Sequence, residues 1–168
     1  MKRSLTMNFS VDRDNRTIHV KREFVAPVDD VWAAWTQKEL LDQWWAPKPY
    51  RTVTRSLDFR DGGTWYYSMV GPKNDTHWSR ADYEGIRPTE SFGMYDAFTD
   101  EEGTVNTDLP RSRWKVDFRA SDDNSTTVHI TIRYDKPEDL DKIIELGFKE
   151  GFTAALENLD EMFEEKVN

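Results

Sequence analysis

The stretch PEDLDKIIELGFKEGFTAALENLDEMFE, Pro137 to Glu164, decides the fold. Leu140, Ile143, Ile144, Gly147, Phe148, Gly151, Phe152, Ala155, Leu156, Leu159, Met162 and Phe163 recur at helical spacing along it. Asp141, Lys142, Glu145, Lys149, Glu150, Glu157, Asp160 and Glu161 fill the opposite face. Pro137 suits the first helical position, with Asp135 or Lys136 at the cap. At ~1.5 Å per residue the spacing predicts one amphipathic helix about 42 Å long. Its single apolar stripe has to be covered by other elements.

What precedes the helix is a run of strands. Val128, Ile130, Ile132 and Tyr134 form the clearest alternation, preceded by Trp114, Val116 and Phe118, and before those by Phe92, Met94 and Phe98. A strand from about Thr76 to Arg87 ends at Pro88, and Trp65, Tyr67 and Met69 follow the Asp61-Gly62-Gly63 turn signal. Val53, Arg55, Leu57 and Phe59 alternate with Thr52, Thr54, Ser56 and Asp58. The first strand covers Thr17 to Val25, with Ile18, Val20, Arg22 and Phe24 on one face. After it, Val31, Trp32 and Trp35, then Leu40, Leu41, Trp44 and Trp45, predict two short helices, opened by Asp29 or Asp30 and closed by Pro47 and Pro49. Each strand has one apolar face and the terminal helix one stripe. The arrangement that buries both is an α+β fold in which a curved antiparallel sheet of about six or seven strands wraps around the long C-terminal helix. We read residues 1–168 as a single domain with its core between about 17 and 165.

Composition narrows the function. Lys and Arg number 23 against 32 Asp and Glu, a net charge of −9 that disfavours nucleic-acid and anionic membrane partners. Seven Trp, 6 Tyr and 9 Phe are far more than a disordered chain carries, and the lack of cysteine excludes disulfides, thiolate metal sites and thiol nucleophiles. Met1 to Ser10 has no apolar core of the kind a signal peptide needs, so a cytoplasmic location is expected. His19 and His129 fall on polar strand faces, and His77 begins a strand where it could border a cavity. The three histidines have no metal-ligand spacing, and no metal or other cofactor is expected.

Several residues bear on a cavity between sheet and helix. Trp32, Trp35, Trp44, Trp45, Trp65, Tyr67, Trp114, Phe148 and Phe152, with Met69 and Met94, either line such a cavity or fill the core. Gly147 and Gly151, one turn apart on the apolar stripe, either leave room for a ligand or allow close packing against a bulky strand residue. Arg22 and Arg55 lie on apolar strand faces. Either they pair inside with Asp82, Glu84 or Asp96 and orient a ligand's carboxylate or carbonyl, or they snorkel out from strand ends into surface ion pairs.

The stretch Arg22-Glu23-Phe24-Val25-Ala26-Pro27, then Val31-Trp32-Ala33-Ala34-Trp35 and Trp44-Trp45-Ala46-Pro47, resembles the opening of homologues of the activator of the heat-shock-protein-90 ATPase. Asp61-Gly62-Gly63-Thr64-Trp65 with Met69, then Tyr83, Ile86, Pro88 and Glu90, and finally Gly151-Phe152 with Leu156 and Leu159, follow that family's order over residues 17–165. Gly85 stands where the family usually has Glu, and Phe152 where it has Trp. The resemblance implies a helix-grip fold of the START-like superfamily, whose members commonly hold an apolar ligand between sheet and C-terminal helix. It brings no catalytic set with it. Three functions follow in order. The first is binding of an apolar or aromatic small molecule, with Trp32, Trp35, Trp44, Trp45, Arg55, Trp65, Tyr67, Met69, Glu84, Met94, Trp114, Gly147, Phe148, Gly151 and Phe152 as the candidate lining. The second is a co-chaperone-like or stress-response module that binds a protein partner, a second copy of the chain included. The third is a cyclase- or hydrolase-like enzyme using His77, Glu84 or Asp96 as acid or base.

Overall fold

The computed structural model describes residues 7–167; residues 1–6, part of the stretch bearing on a signal peptide, lie outside them. Eight strands form one antiparallel sheet: β1 (Met7–Asp12), β2 (Thr17–Phe24), β3 (Arg51–Leu57), β4 (Thr64–Val70), β5 (Thr76–Arg87), β6 (Ser91–Thr99), β7 (Ser112–Asp122) and β8 (Ser125–Tyr134). Their order across the sheet is β1-β2-β8-β7-β6-β5-β4-β3. The last six strands are therefore a meander, and β2 closes onto β8 from Thr17 opposite Arg133 to Phe24 opposite Thr126. The α+β helix-grip arrangement expected from the sequence is present, with one strand more than the six or seven anticipated. The extra strand is the edge strand β1, a short element in which Met7, Phe9 and Val11 alternate with Asn8, Ser10 and Asp12.

Helices α1 (Val28–Thr36) and α2 (Lys38–Trp44) connect β2 to β3. Pro27 takes the cap position of α1 and Asp29 and Asp30 occupy its first turn, where their charge complements the helix dipole, so neither aspartate is the cap. The C-terminal segment is two helices rather than one: α3 (Pro137–Glu145), capped by Lys136, and α4 (Phe148–Val167). The break falls at Gly147, whose φ of 91° lies in the left-handed region that ends a helix. Gly147 is thus a hinge between helices, not a gap in a continuous buried stripe.

Helix α4 buries Phe152, Ala155, Leu156, Leu159, Met162 and Phe163 against the sheet and the α1–α2 pair. At roughly 1.5–3 kcal/mol for each large apolar side chain, this burial far outweighs the helix-propensity cost of one glycine. Asn158 Nδ2 adds bonds to the carbonyls of Trp44 and Ala46, the latter at 3.0 Å. Arg22, inward on β2, meets Asp160 of α4 at 3.3 Å, with both side chains nearly buried (9% and 13% exposed). Its partner is therefore on the helix. It is not Asp82, Glu84 or Asp96, and Arg22 neither snorkels out nor enters a cavity.

Two bulges overturn face assignments made by alternation. In β3, Thr54 pairs with Tyr67 and Ser56 with Tyr66, so Arg55 is the extra residue and the faces swap across it. Upstream of it Thr52 is buried and Val53 is exposed. Arg55 itself is half-exposed: it donates to the Glu101 carbonyl and stacks over Trp78 at 4.2 Å. In β5, Glu84 pairs with Gly93 but Arg87 with Ser91, with Gly85 at φ 60° between them. Ala81 and Tyr83 therefore point inward, and Glu84 points out to pair with Arg113 at 2.8 Å. Arg55 and Glu84 both leave the candidate lining for this reason.

The two helix glycines should respond to Ala in opposite ways in urea unfolding. Gly147→Ala, forced into the left-handed region, should cost about 1 kcal/mol. Gly151→Ala should stabilise by up to about 1 kcal/mol, because its Cβ would meet nothing nearer than Pro47 Cγ at 3.8 Å.

Candidate functional site

A single tryptophan separates filled core from open space. Trp45, at the end of α2, has ring-centroid distances of 5.9 Å to Trp35, 5.3 Å to Trp44 and 5.3 Å to Trp65 on one side. On the other side it meets Tyr67 at 6.4 Å, Trp114 at 5.8 Å and Phe152 at 6.2 Å. Beyond it lies a pocket of about 230 Å³ between the sheet and the C-terminal helices. At about 30 Å³ per water in the liquid, that is space for a molecule of one or two rings.

The pocket wall contains Trp45, Tyr67, Met69, Trp114, Phe148, Gly151 and Phe152 from the candidate lining. Trp32, Trp35, Trp44, Trp65 and Met94 are core instead. Trp32 packs edge-on against Phe59, Phe92 and Phe118, and Trp44 packs on Trp35 at 4.8 Å while donating to the Ala34 carbonyl. Trp65 stacks on Tyr67 with centroids 4.0 Å apart, and Met94 is buried beside these rings without reaching the pocket. The candidate aromatics thus divide between the core and the pocket wall.

The polar part of the wall is small and organised. Asp96 of β6 pairs in register with Ser112 of β7, and Ser112 with Tyr134 of β8, so the three side chains stand in one row across three strands. Asp96 Oδ1 accepts both the Ser112 backbone N–H and the Ser112 hydroxyl at 2.8 Å, and Oδ2 accepts the Trp114 indole N–H at 3.0 Å. Burial is the main cause pushing the Asp96 carboxyl up to about 6, against the lowering effect of those hydrogen bonds and of Arg111. Arg111 stays outside the pocket wall: its Nε donates to the Asp96 carbonyl, and its guanidinium lies 3.4 Å from Asp82 and over the Tyr95 ring. Burial, with the Asp96 charge adding to it, also pushes the Tyr67 and Tyr134 phenols up, so both stay neutral.

Of the three residues considered as acid or base, only Asp96 is set deep in the wall. His77 stands at the pocket rim with its side chain 62% exposed, 3.4 Å from Asp75, which also accepts the Tyr50 hydroxyl. Glu84 is on the outer face. Phase with Phe92, Met94 and Phe98 is enough to turn Asp96 inward, but Ser112, Tyr134 and Ser79, which lines the pocket opposite Tyr67 in register, are not among the sequence candidates. Their common signal is cross-strand register, which alternation within one strand does not carry. Among the described residues no cluster of His, Asp or Glu could hold a metal ion, and no helix is long and apolar enough to cross a membrane.

A family model, the activator of Hsp90 ATPase homolog 1-like proteins, matches residues 25–164. The chain belongs to this family. Two solved structures share its fold over nearly the whole length. Protein Ms6760 from Mycobacterium smegmatis is 28% identical with a TM-score of 0.86, covering 95% of this chain and 96% of that one. A protein from Arthrobacter aurescens is 26% identical with a TM-score of 0.86, covering 91% and 88%. The AHSA1 protein from Silicibacter pomeroyi, at 18% identity and a TM-score of 0.71 over 89% of this chain and 99% of that one, shares the fold. Among curated proteins none matches. For the Hsp90-activator-like family, the helix-grip fold is thus combined here with a pocket whose one set-in charge is a carboxylate.

The linkage of Asp96 to stability has a definite sign. Its folded-state pKa is raised from 3.8 to about 6, so the favourable contribution of its protonated form is full below about pH 4 and is lost as pH rises through 6. The ionised form costs at most roughly 3 kcal/mol above that range. Urea unfolding of wild type and Asp96→Asn at pH 4 and pH 7.5 should show the wild type losing stability relative to the variant, by up to about 3 kcal/mol, at the higher pH.

Proposed function

We propose that the protein binds a small apolar or aromatic molecule in the pocket between its sheet and its C-terminal helices. The observation that carries this reading is Gly151. A glycine inside α4 gives up about 1 kcal/mol relative to Ala, and no packing partner demands it, since an added Cβ would be in ordinary contact with Pro47 alone. What the missing side chain does preserve is pocket volume. The wall supports the same reading: rings from α2, β4, β7 and α4 converge on the space, and a short row of polar groups gives a bound molecule its orientation.

The test is ligand-dependent thermal stability. A small-aromatic library should contain compounds that raise the melting temperature of the wild type, because a ligand at 100 times its Kd adds about 2.7 kcal/mol. Gly151→Leu, which places a branched side chain in the pocket, should stay folded and lose that rise. A library in which no compound shifts the wild type, or a shift that survives unchanged in Gly151→Leu, overturns the reading.

A further inference from the structure

We infer that the pocket is selective for a protonated amine on an aromatic or apolar body, with Asp96 as its counter-ion. This rests on the pocket being a ligand site, as proposed above, and goes further by assigning the ligand's charge.

The inference starts from where the charges are. Two arginines on apolar strand faces would suit a carboxylate ligand, and both are elsewhere: Arg22 is held by Asp160, and Arg55 lies on the surface beside Glu101 and Trp78. Arg111, the cation nearest Asp96, does not line the pocket and is engaged by Asp82 and Tyr95. The charge set into the wall is therefore negative. An anionic ligand would meet a like charge in a poorly hydrated space, and a cation would meet its complement.

The carboxylate also has capacity to spare. Its two oxygens offer about four acceptor sites. Oδ1 takes two donors from Ser112 and Oδ2 takes one from the Trp114 indole, so one acceptor site on Oδ2 is left for a ligand N–H. The rest of the wall completes the match. Trp45, Tyr67, Trp114, Phe148 and Phe152 surround the space with π-systems that attract a cation while burying an apolar body. The chain's net charge of −9 favours the approach of cations over anions at long range.

The experiment is an NMR titration above the Asp96 titration range with three molecules on one scaffold: 1-naphthylmethylamine, 1-naphthylacetate and 1-methylnaphthalene. The amine should bind the wild type at least about tenfold more tightly than the other two. Asp96→Asn should lose about tenfold for the amine and stay within about twofold for 1-methylnaphthalene. If the acid binds as well as the amine, or if the variant weakens the amine and the hydrocarbon equally, the charge assignment fails while the pocket reading stands. If none of the three binds, the charge assignment fails, and the pocket reading falls with it only if the library also yields no ligand. The charge ranking on the wild type decides the matter even if the variant does not fold.

Discussion

The position of one indole ring governs how far the C-terminal helix descends onto the sheet. Trp45 is wedged between β4, β7 and α4, in contact with Trp65, Tyr67, Trp114 and Phe152 at centroid distances of 5.3–6.4 Å. Large flat side chains in edge-on contact are stiff spacers, since closing the gap would drive rings through one another. On the inner side of Trp45, rings and aliphatic chains fill the interior. On the outer side the helix is held away from the strands and a pocket persists.

The two ends of α4 are fastened differently, and that difference places the pocket. The C-terminal turns are clamped: Asp160 meets Arg22, and Phe163 packs edge-on against Phe24 of the same strand. The N-terminal turn is held from the sheet edge instead, with Phe148 6.3 Å from Phe9 of β1 and Lys149 over the same ring. It follows the left-handed turn at Gly147, and its Phe148 and Phe152 stack on one another at 5.3 Å and lean on Trp114 instead of filling the space. On either side of the break, Ile143 and Phe148 both line the same opening.

The electrostatics of the site follow from strand pairing. A buried carboxylate is tolerated when donors surround it, and here the next strand supplies them: the backbone and hydroxyl of Ser112 and the indole of Trp114 two residues on. Those donors occupy three of the roughly four acceptor sites of a carboxylate that lines the pocket. The outward cations, among them Arg113 on Glu84 and Arg80 on Asp82, belong to the solvated face of the sheet and do not reach it.

Local sequence determined the type of every element except β1 and several of their ends, but not the helix break at Gly147. Period-two alternation marked seven of the eight strands, helical spacing marked the C-terminal stripe, and Pro88 and Pro137 marked boundaries that match β5 and α3. It also carried the family resemblance and the inward phase of Asp96. Tertiary structure alone decided which face Arg55 and Glu84 would take, because a single bulged residue reverses a strand's faces and leaves its composition unchanged. It likewise decided which tryptophans are core and which line the pocket, and that Asp96, Ser112 and Tyr134 share a row. Those outcomes depend on register between segments distant in the chain, and no periodicity within one segment encodes the register of another.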